Sequence, residues 1–331
     1  ARAGCDFLCW DRNPDVINAI SQKHLNTKHL PNIPLPDAIK STSEIAEVFD
    51  FADIVLLSVS AQATRSVLRQ IKPFIKTNTV IVLCAKGIEA ETGKMLSEIA
   101  EDEIPAATIA ILSGPGFAVD IAQRKLTSVT IACAKDGLAA QLTDMLATPY
   151  FRPYTTSDMI SPQIGGSVKN VIAIASGVIE GAEFGDGARA ALITRGLNEM
   201  GRLSGGHGTM MGMCGLGDLV LTAGCSQSRN FSFGYEIGFR QKLFLGDVGN
   251  IQFGLVLDAK LTAIVVDHIH AQSIRPFRQG LADTSHTDNA QGLSGNRHTE
   301  VLQYTDLHVL TKRTQLTITF RDTPGGIQHQ A

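Results

Sequence analysis

Nowhere does the sequence contain Gly-x-Gly-x-x-Gly, the fingerprint whose glycines let a pyrophosphate approach a helix N-terminus. Nor does it contain a Cys-x-x-Cys pair. Cys5, Cys9, Cys84, Cys133, Cys214 and Cys225 are scattered, mostly inside apolar stretches. That removes the usual zinc and dithiol motifs, leaves no metal site expected, and fits small buried thiols in a reducing compartment. No apolar run reaches the roughly 18 residues needed to span a bilayer, and no basic-then-apolar leader is present, so a cytoplasmic protein without stable membrane insertion is expected. Charge of one sign is also lacking. A formal net charge of -3 over 331 residues gives no bulk attraction to nucleic acid.

What is present is the composition of a soluble globular chain, 44% hydrophobic and 18% charged, long enough for two domains. Strand-like runs "CDFLCW", "ADIVLLSVS", "TVIVLCAKG", "TIAILSG" and "SVTIACA" alternate with helix-like stretches near 62–71, 92–103 and 137–147. Short apolar strands alternating with helices predict a doubly wound parallel sheet covered on both faces. Ligands of such sheets bind beyond the strand C-terminal ends, which nominates Asp11, Arg12, Ser58, Lys86, Ser113 and Gly114. The opening "ARAG" reads as the last turn of a helix closing on Gly4. The first strand, its loop and most of the first helix are therefore expected to lie upstream of Ala1. The sheet domain is expected over 1–156 and a mainly α-helical domain over 157–240, with helix periodicity at 163–181 and 187–204. A compositionally different tail, 241–331, carries six of the nine histidines, and beyond about residue 270 it is expected to be poorly ordered.

Several short motifs carry chemistry. In "GGSVKNVIAIA" apolar residues recur at three-and-four spacing, which sets Lys169 beside a buried helix face. Such a lysine either snorkels to water or acts as a tuned acid or base. "CAKG" ends a strand with Lys86, either solvated or ligand-facing. "SGPGFA", with Gly114 and Gly116, is either a tight turn or a backbone cradle. In "GLGDLVLT" Asp218 is either a helix N-cap or a site carboxylate. "SQSRN" sets Ser228, Arg229 and Asn230 side by side, as a polar loop or as a phosphate clamp.

In this order, these pieces together with "LCWDRNPDVINAI", "KGIEAETGKMLSEIA", "LITRGLNEMGRL" and "QSRNFSFG" resemble the bacterial NAD(P)-dependent glycerol-3-phosphate dehydrogenases over roughly residues 1–240. The resemblance implies an α/β fold: a Rossmann-like doubly wound sheet, here lacking its first strand, followed by a mainly helical domain. It implies an oxidoreductase that interconverts dihydroxyacetone phosphate and sn-glycerol 3-phosphate with NAD or NADP for glycerophospholipid synthesis. The implied partner is thus a small phosphorylated molecule, with a homodimer left open. Lys169 becomes the proton-transfer group, and Lys86 reaches cofactor and substrate. Gly114 and Gly116 become the substrate turn, and Ala118 a cofactor contact. Asp218 holds a substrate hydroxyl or orients Lys169. Ser228, Arg229 and Asn230 take the phosphate, Arg229 also touching the nucleotide. Arg12 lies where the adenine ribose or its 2′-phosphate is read.

Departures from the family pattern set further expectations. Gly116 replaces the usual Ser or Thr, which removes one hydroxyl. The stretch before "MGM" is short, which is expected to disturb the segment feeding Asp218. The tail matches nothing in the family, as a shifted reading frame would produce. With no glycine fingerprint the chain is expected to be an impaired catalyst. An inactive remnant, or a non-catalytic binding protein of the same fold, is the alternative.

Overall fold

The computed structural model describes residues 1–206, 208–245, 254–257 and 316–319. After a turn closed by the Gly4 N–H on the Ala1 carbonyl come β1 (Phe7–Trp10), α1 (Pro14–Lys23), a small hairpin of β2 (Leu25–Asn26) and β3 (Leu30–Pro34), β4 (Ile39–Thr42) and α2 (Ile45–Phe51). Next are β5 (Ile54–Leu57), α3 (Thr64–Ile71), β6 (Val80–Leu83), α4 (Leu96–Glu103), β7 (Thr108–Ser113), α5 (Ala118–Ala122), β8 (Thr127–Ala132), α6 (Leu138–Leu146) and β9 (Phe151–Thr156). Helices follow: α7 (Ser161–Gly181), α8 (Asp186–Leu203), α9 (Asp218–Ala223) and α10 (Arg229–Leu245). The change from sheet to helix thus falls between β9 and α7. By themselves, β10 (Gly254–Leu257) and β11 (Leu316–Thr319) pair antiparallel. The rest of the 241–331 tail beyond Leu245 lies outside the described residues.

Strand β6 explains the layering. All four of its residues are buried. Ile81 and Leu83 join Leu57, Leu68, Leu96 and Ile99 under α3 and α4, while Val80 and Val82 join Ala110, Ile131, Leu138 and Leu142 under α6. Successive side chains of a strand point to opposite faces, so a continuous apolar run requires cover on both. Helix ends follow local capping chemistry. Asn13 accepts the Asp15 N–H ahead of Pro14, and His24 closes α1 in the left-handed region at φ 49°. The 92–103 helix starts only at Leu96, because the Glu98 carboxylate accepts the Met95 N–H and sets the first turn there.

Strand order is β5-β6-β7-β8-β9, with β1 paired parallel to β4 in a separate two-stranded ladder. Among the described residues, β1 and β5 each pair with one strand. The expected all-parallel sheet needs one correction: β7 and β8 run antiparallel. Between them lies only a five-residue helix, α5, so the chain folds back beside β7 instead of crossing over the sheet as a parallel connection must. The helix-borne crossover through α6 makes β8 and β9 parallel again.

Helix α7 is anchored by Asp158, whose Oδ1 accepts the Ile160 and Ser161 N–H groups, each at 3.0 Å. Farther along, α7 meets α10 through glycines four apart on both helices, Gly177 and Gly181 against Gly234 and Gly238. A Cβ on any of them would overlap the backbone of the other helix. That close approach brings the start of α10 beside the middle of α7.

Candidate active site

One carboxylate organises the site. Asp218 opens α9 and is 1% exposed, and its Oδ1 takes the Lys169 ammonium at 2.5 Å while its Oδ2 takes the Lys86 ammonium at 2.7 Å. The carboxylate is therefore not a helix cap. Among the described residues no side-chain cap bond forms at that end of α9. The short segment before it packs as a tight turn over Gly208–Met211 and a wide, π-helical turn over Met213–Gly217, and Asp218 still reaches Lys169.

Lys169 does not snorkel. Its side chain is 8% exposed, and its Nζ also donates to Thr222 Oγ1 at 2.9 Å. Thr222 in turn donates to the Asp218 carbonyl at 2.6 Å. An ammonium has three N–H donors, so one remains for a reacting oxygen. Burial is the main force lowering its pKa, to about 8, and the neighbouring Lys86 charge adds to it, while Asp218 works against both.

Lys86 leaves the C-terminal end of β6 and donates to the Gly114 carbonyl at 2.8 Å. Gly114 sits at φ +151°, where a Cβ would stand 2.8 Å from Val129 Cα, so only glycine turns this carbonyl towards Lys86 without strain. Ser113, just before it, is 3% exposed, and its hydroxyl has no hydrogen-bond partner among the described residues. A Cβ placed on Gly166 of α7 would lie 3.4 Å from that hydroxyl and 3.1 Å from Lys86 Cγ. An unpaired buried hydroxyl at a strand end beneath Lys86 suits a bound polar ligand.

The Ser-Arg-Asn segment lies at the start of α10. Ser228 Oγ accepts the Phe231 N–H at 3.3 Å as an N-cap, Arg229 is exposed, and Asn230 Nδ2 donates to Asn170 Oδ1 at 2.9 Å. Asn170 is the neighbour of Lys169, so this bond ties the anion-attracting N-terminus of a long helix to the lysine cluster. Lys86, Lys169, Asp218 and Gly114 thus come together directly, with Asn230 joined through Asn170. No bond links Gly116, Ala118, Arg12 or Ser58 to the cluster among the described residues. Gly116 and Ala118 lie in the turn after β7 and the start of α5, and Arg12 follows β1. Sequence reading passed over Thr222 and Asn170. Thr222 stands four residues after Asp218, the spacing that puts two helix side chains on one face.

The protein-family model described as NAD-dependent glycerol-3-phosphate dehydrogenase N-terminus matches residues 1–139, and that described as its C-terminus matches residues 158–265. The chain belongs to the NAD-dependent glycerol-3-phosphate dehydrogenase family. The second match runs past residue 240, so the family likeness extends into the tail as far as residue 265. The glycerol-3-phosphate dehydrogenase [NAD(P)+] of Paramagnetospirillum magneticum is 46% identical over 236 residues, 70% of this chain and 86% of that protein. The protein of the same name from Rhodospirillum rubrum is 46% identical over 241 residues, 72% of this chain and 69% of its own length. A crystal structure of glycerol-3-phosphate dehydrogenase from Coxiella burnetii superposes with a TM-score of 0.67 at 31% identity, covering 84% of this chain and 82% of that one. Members of this family are NAD(P)-dependent oxidoreductases with a Rossmann-like sheet domain ahead of a helical one. No helix among the described residues is long and apolar enough to cross a membrane.

Proposed function

We propose that the chain interconverts dihydroxyacetone phosphate and sn-glycerol 3-phosphate with NAD or NADP, in the cytoplasm, supplying a glycerophosphate for lipid synthesis. The observation that carries this reading is the Lys169 ammonium, buried on Asp218 and Thr222 with one donor unspent, next to a helix N-terminus bearing Ser228, Arg229 and Asn230. When bound, a nicotinamide would supply or accept the hydride at substrate C2. Lys169 gives a proton to the C2 oxygen as the ketone is reduced and takes it back as the alcohol is oxidised. Lys86 steadies the same oxygen or its neighbour, Asp218 orients both ammoniums, and Gly114 and Gly116 line the substrate turn. The phosphate is received by Ser228, Arg229 and Asn230. Arg12, Lys86, Ala118 and Arg229 would hold the cofactor, and the buried, unpartnered Ser113 hydroxyl beside Lys86 supports a polar ligand at that strand end.

Lys169 with its pKa near 8 makes the two directions respond oppositely to pH. Ketone reduction uses the ammonium, so kcat falls as pH rises through about 8; alcohol oxidation uses the amine, so kcat rises over the same interval. Steady-state rates in both directions across this range check the assignment. Two profiles that move together would count against it.

Arg229→Ala is expected to raise KM for dihydroxyacetone phosphate roughly 30-fold through loss of a charge-assisted donor. Unphosphorylated dihydroxyacetone should be almost unaffected. Equal losses for both would place Arg229 outside phosphate recognition.

The second reading is an inactive remnant, or a non-catalytic binding protein of the same fold, that keeps the lysine–aspartate cluster. Calorimetric titration with NADH and NADPH separates the two. Micromolar saturation with steady turnover supports the enzyme reading, and neither supports the second.

A further inference from the structure

Behind Lys86 the chain continues as Gly87, Ile88 and Glu89, and this segment is gripped by the turn that opens α3. Gly87 lies so close that a Cβ on it would be 2.7 Å from Ala61 Cβ. Gln62 Nε2 donates to the Ile88 carbonyl at 2.8 Å. One helical turn on, the Arg65 guanidinium forks onto Glu89, Nε to Oε1 at 2.8 Å and Nη2 to Oε2 at 2.7 Å. Its remaining arm, Nη1, reaches Glu103 Oε1 of α4 at 2.7 Å, and Arg69 holds Glu103 from the exposed side. The side chains of Arg65 and Glu89 are 19% and 9% exposed.

A mostly buried ion pair is poor evidence for stability in itself, because desolvation offsets its attraction. What a planar two-point fork does supply is geometry. Three residues before Glu89, Lys86 has to satisfy two acceptors at once, Gly114 O at 2.8 Å and Asp218 Oδ2 at 2.7 Å. Displacing its Nζ away from them by about 1 Å takes both past the usual limit of ~3.2 Å for such bonds. The backbone of 86–89 therefore sets the point from which Lys86 reaches both acceptors.

We infer that Arg65 is a positioning residue: by forking onto Glu89 it fixes the segment that sets the reach of Lys86 into the site. The consequence for catalysis rests on the role proposed for Lys86 above, whereas the positioning itself does not. Among the described residues Arg65 makes no bond to either lysine. It acts through Glu89 and the two residues between Glu89 and Lys86.

The test reads each lysine separately, by acetylating the purified chain briefly with acetic anhydride and quantifying every site by mass spectrometry. In the unaltered chain Lys86 and Lys169 should be slow and the exposed Lys135 fast. Arg65→Lys keeps the charge but loses the fork, and should speed Lys86 labelling roughly tenfold, the size expected for coupling within one ion-pair network. Lys169 and Lys135 should keep their rates. An Arg65→Met, Glu89→Leu double variant removes both ends of the fork together, while Glu103 keeps Arg69 at 3.0 Å. Its Lys86 should be released as well. Lys86 remaining slow in either variant overturns the inference, as does an equal rise at Lys169, which would mean general loosening. None of these readings needs turnover or bound cofactor. A chain that fails to reduce dihydroxyacetone phosphate but releases Lys86 on loss of the fork defeats the proposed reaction and leaves the positioning role standing.

Discussion

Turnover of dihydroxyacetone phosphate is expected to fall at least ~10²-fold in Lys169→Met, the usual cost of losing a general acid or base. Methionine fills the volume of the lysine stem, and Asp218 keeps its second partner, Lys86 at 2.7 Å. The variant therefore loses the transferable proton without leaving a buried charge alone. Its denaturation midpoint should stay close to that of the unaltered chain, and so should its affinity for NADH by calorimetry. Near-normal kcat, or a loss of rate explained wholly by weaker NADH binding, would remove Lys169 from proton transfer.

Asp218→Asn should be the more destructive change to the fold. It leaves two ammoniums facing a neutral amide at a position 1% exposed. Breaking a buried pair by removing one partner costs about 3–5 kcal/mol. The pH dependence identifies the cause. Asp218 opposes the depression of the Lys169 pKa, so its loss drives that pKa below about 8, farther beneath the ordinary lysine value of 10.5. Where the unfolded chain binds more protons than the folded one, stability rises with pH. The difference between the two proteins should thus be fully present below the variant's own Lys169 pKa. It should shrink as pH rises to about 8, above which Lys169 is neutral in both. Urea denaturation at a series of pH values measures this, and a difference that is constant with pH would mean that Asp218 does not stabilise through the charge on Lys169.

Much of the fold was legible because it rests on local signals. The apolar runs that became β5, β6, β7 and β8 are near-continuous, and the periodicity that became α7 and α8 is long. β9 leaves no apolar run for a physical reason: "FRPYTT" carries an arginine, a proline and the exposed Arg152, Tyr154 and Thr155, which an edge strand tolerates and a central one does not. Being the last strand of the order β5-β6-β7-β8-β9, it needs a partner on one side only. The two-residue strand β2 is too short to leave any periodic trace. The reversal between β7 and β8 was hidden as well, since strand direction depends on where the connection lies and not on the apolar character of the strand.

Lys86, Gly114, Lys169 and Asp218 could be picked out one at a time because each interrupts a recognisable local pattern: a strand end, a tight turn, an apolar helix face, a helix start. Their residue types and the elements carrying them are properties of the sequence, set by hydrophobic period and turn chemistry over a few residues. That one carboxylate serves two lysines, 132 residues away in one case and 49 in the other, was decided only in the tertiary structure. So were the Asn170–Asn230 tie and the closure on Thr222, because burial, charge sharing and hydrogen-bond geometry are set by which surfaces pack together. The packing of α7 against α9 buries Lys169 beside Asp218 and Thr222, and that burial lowers its pKa.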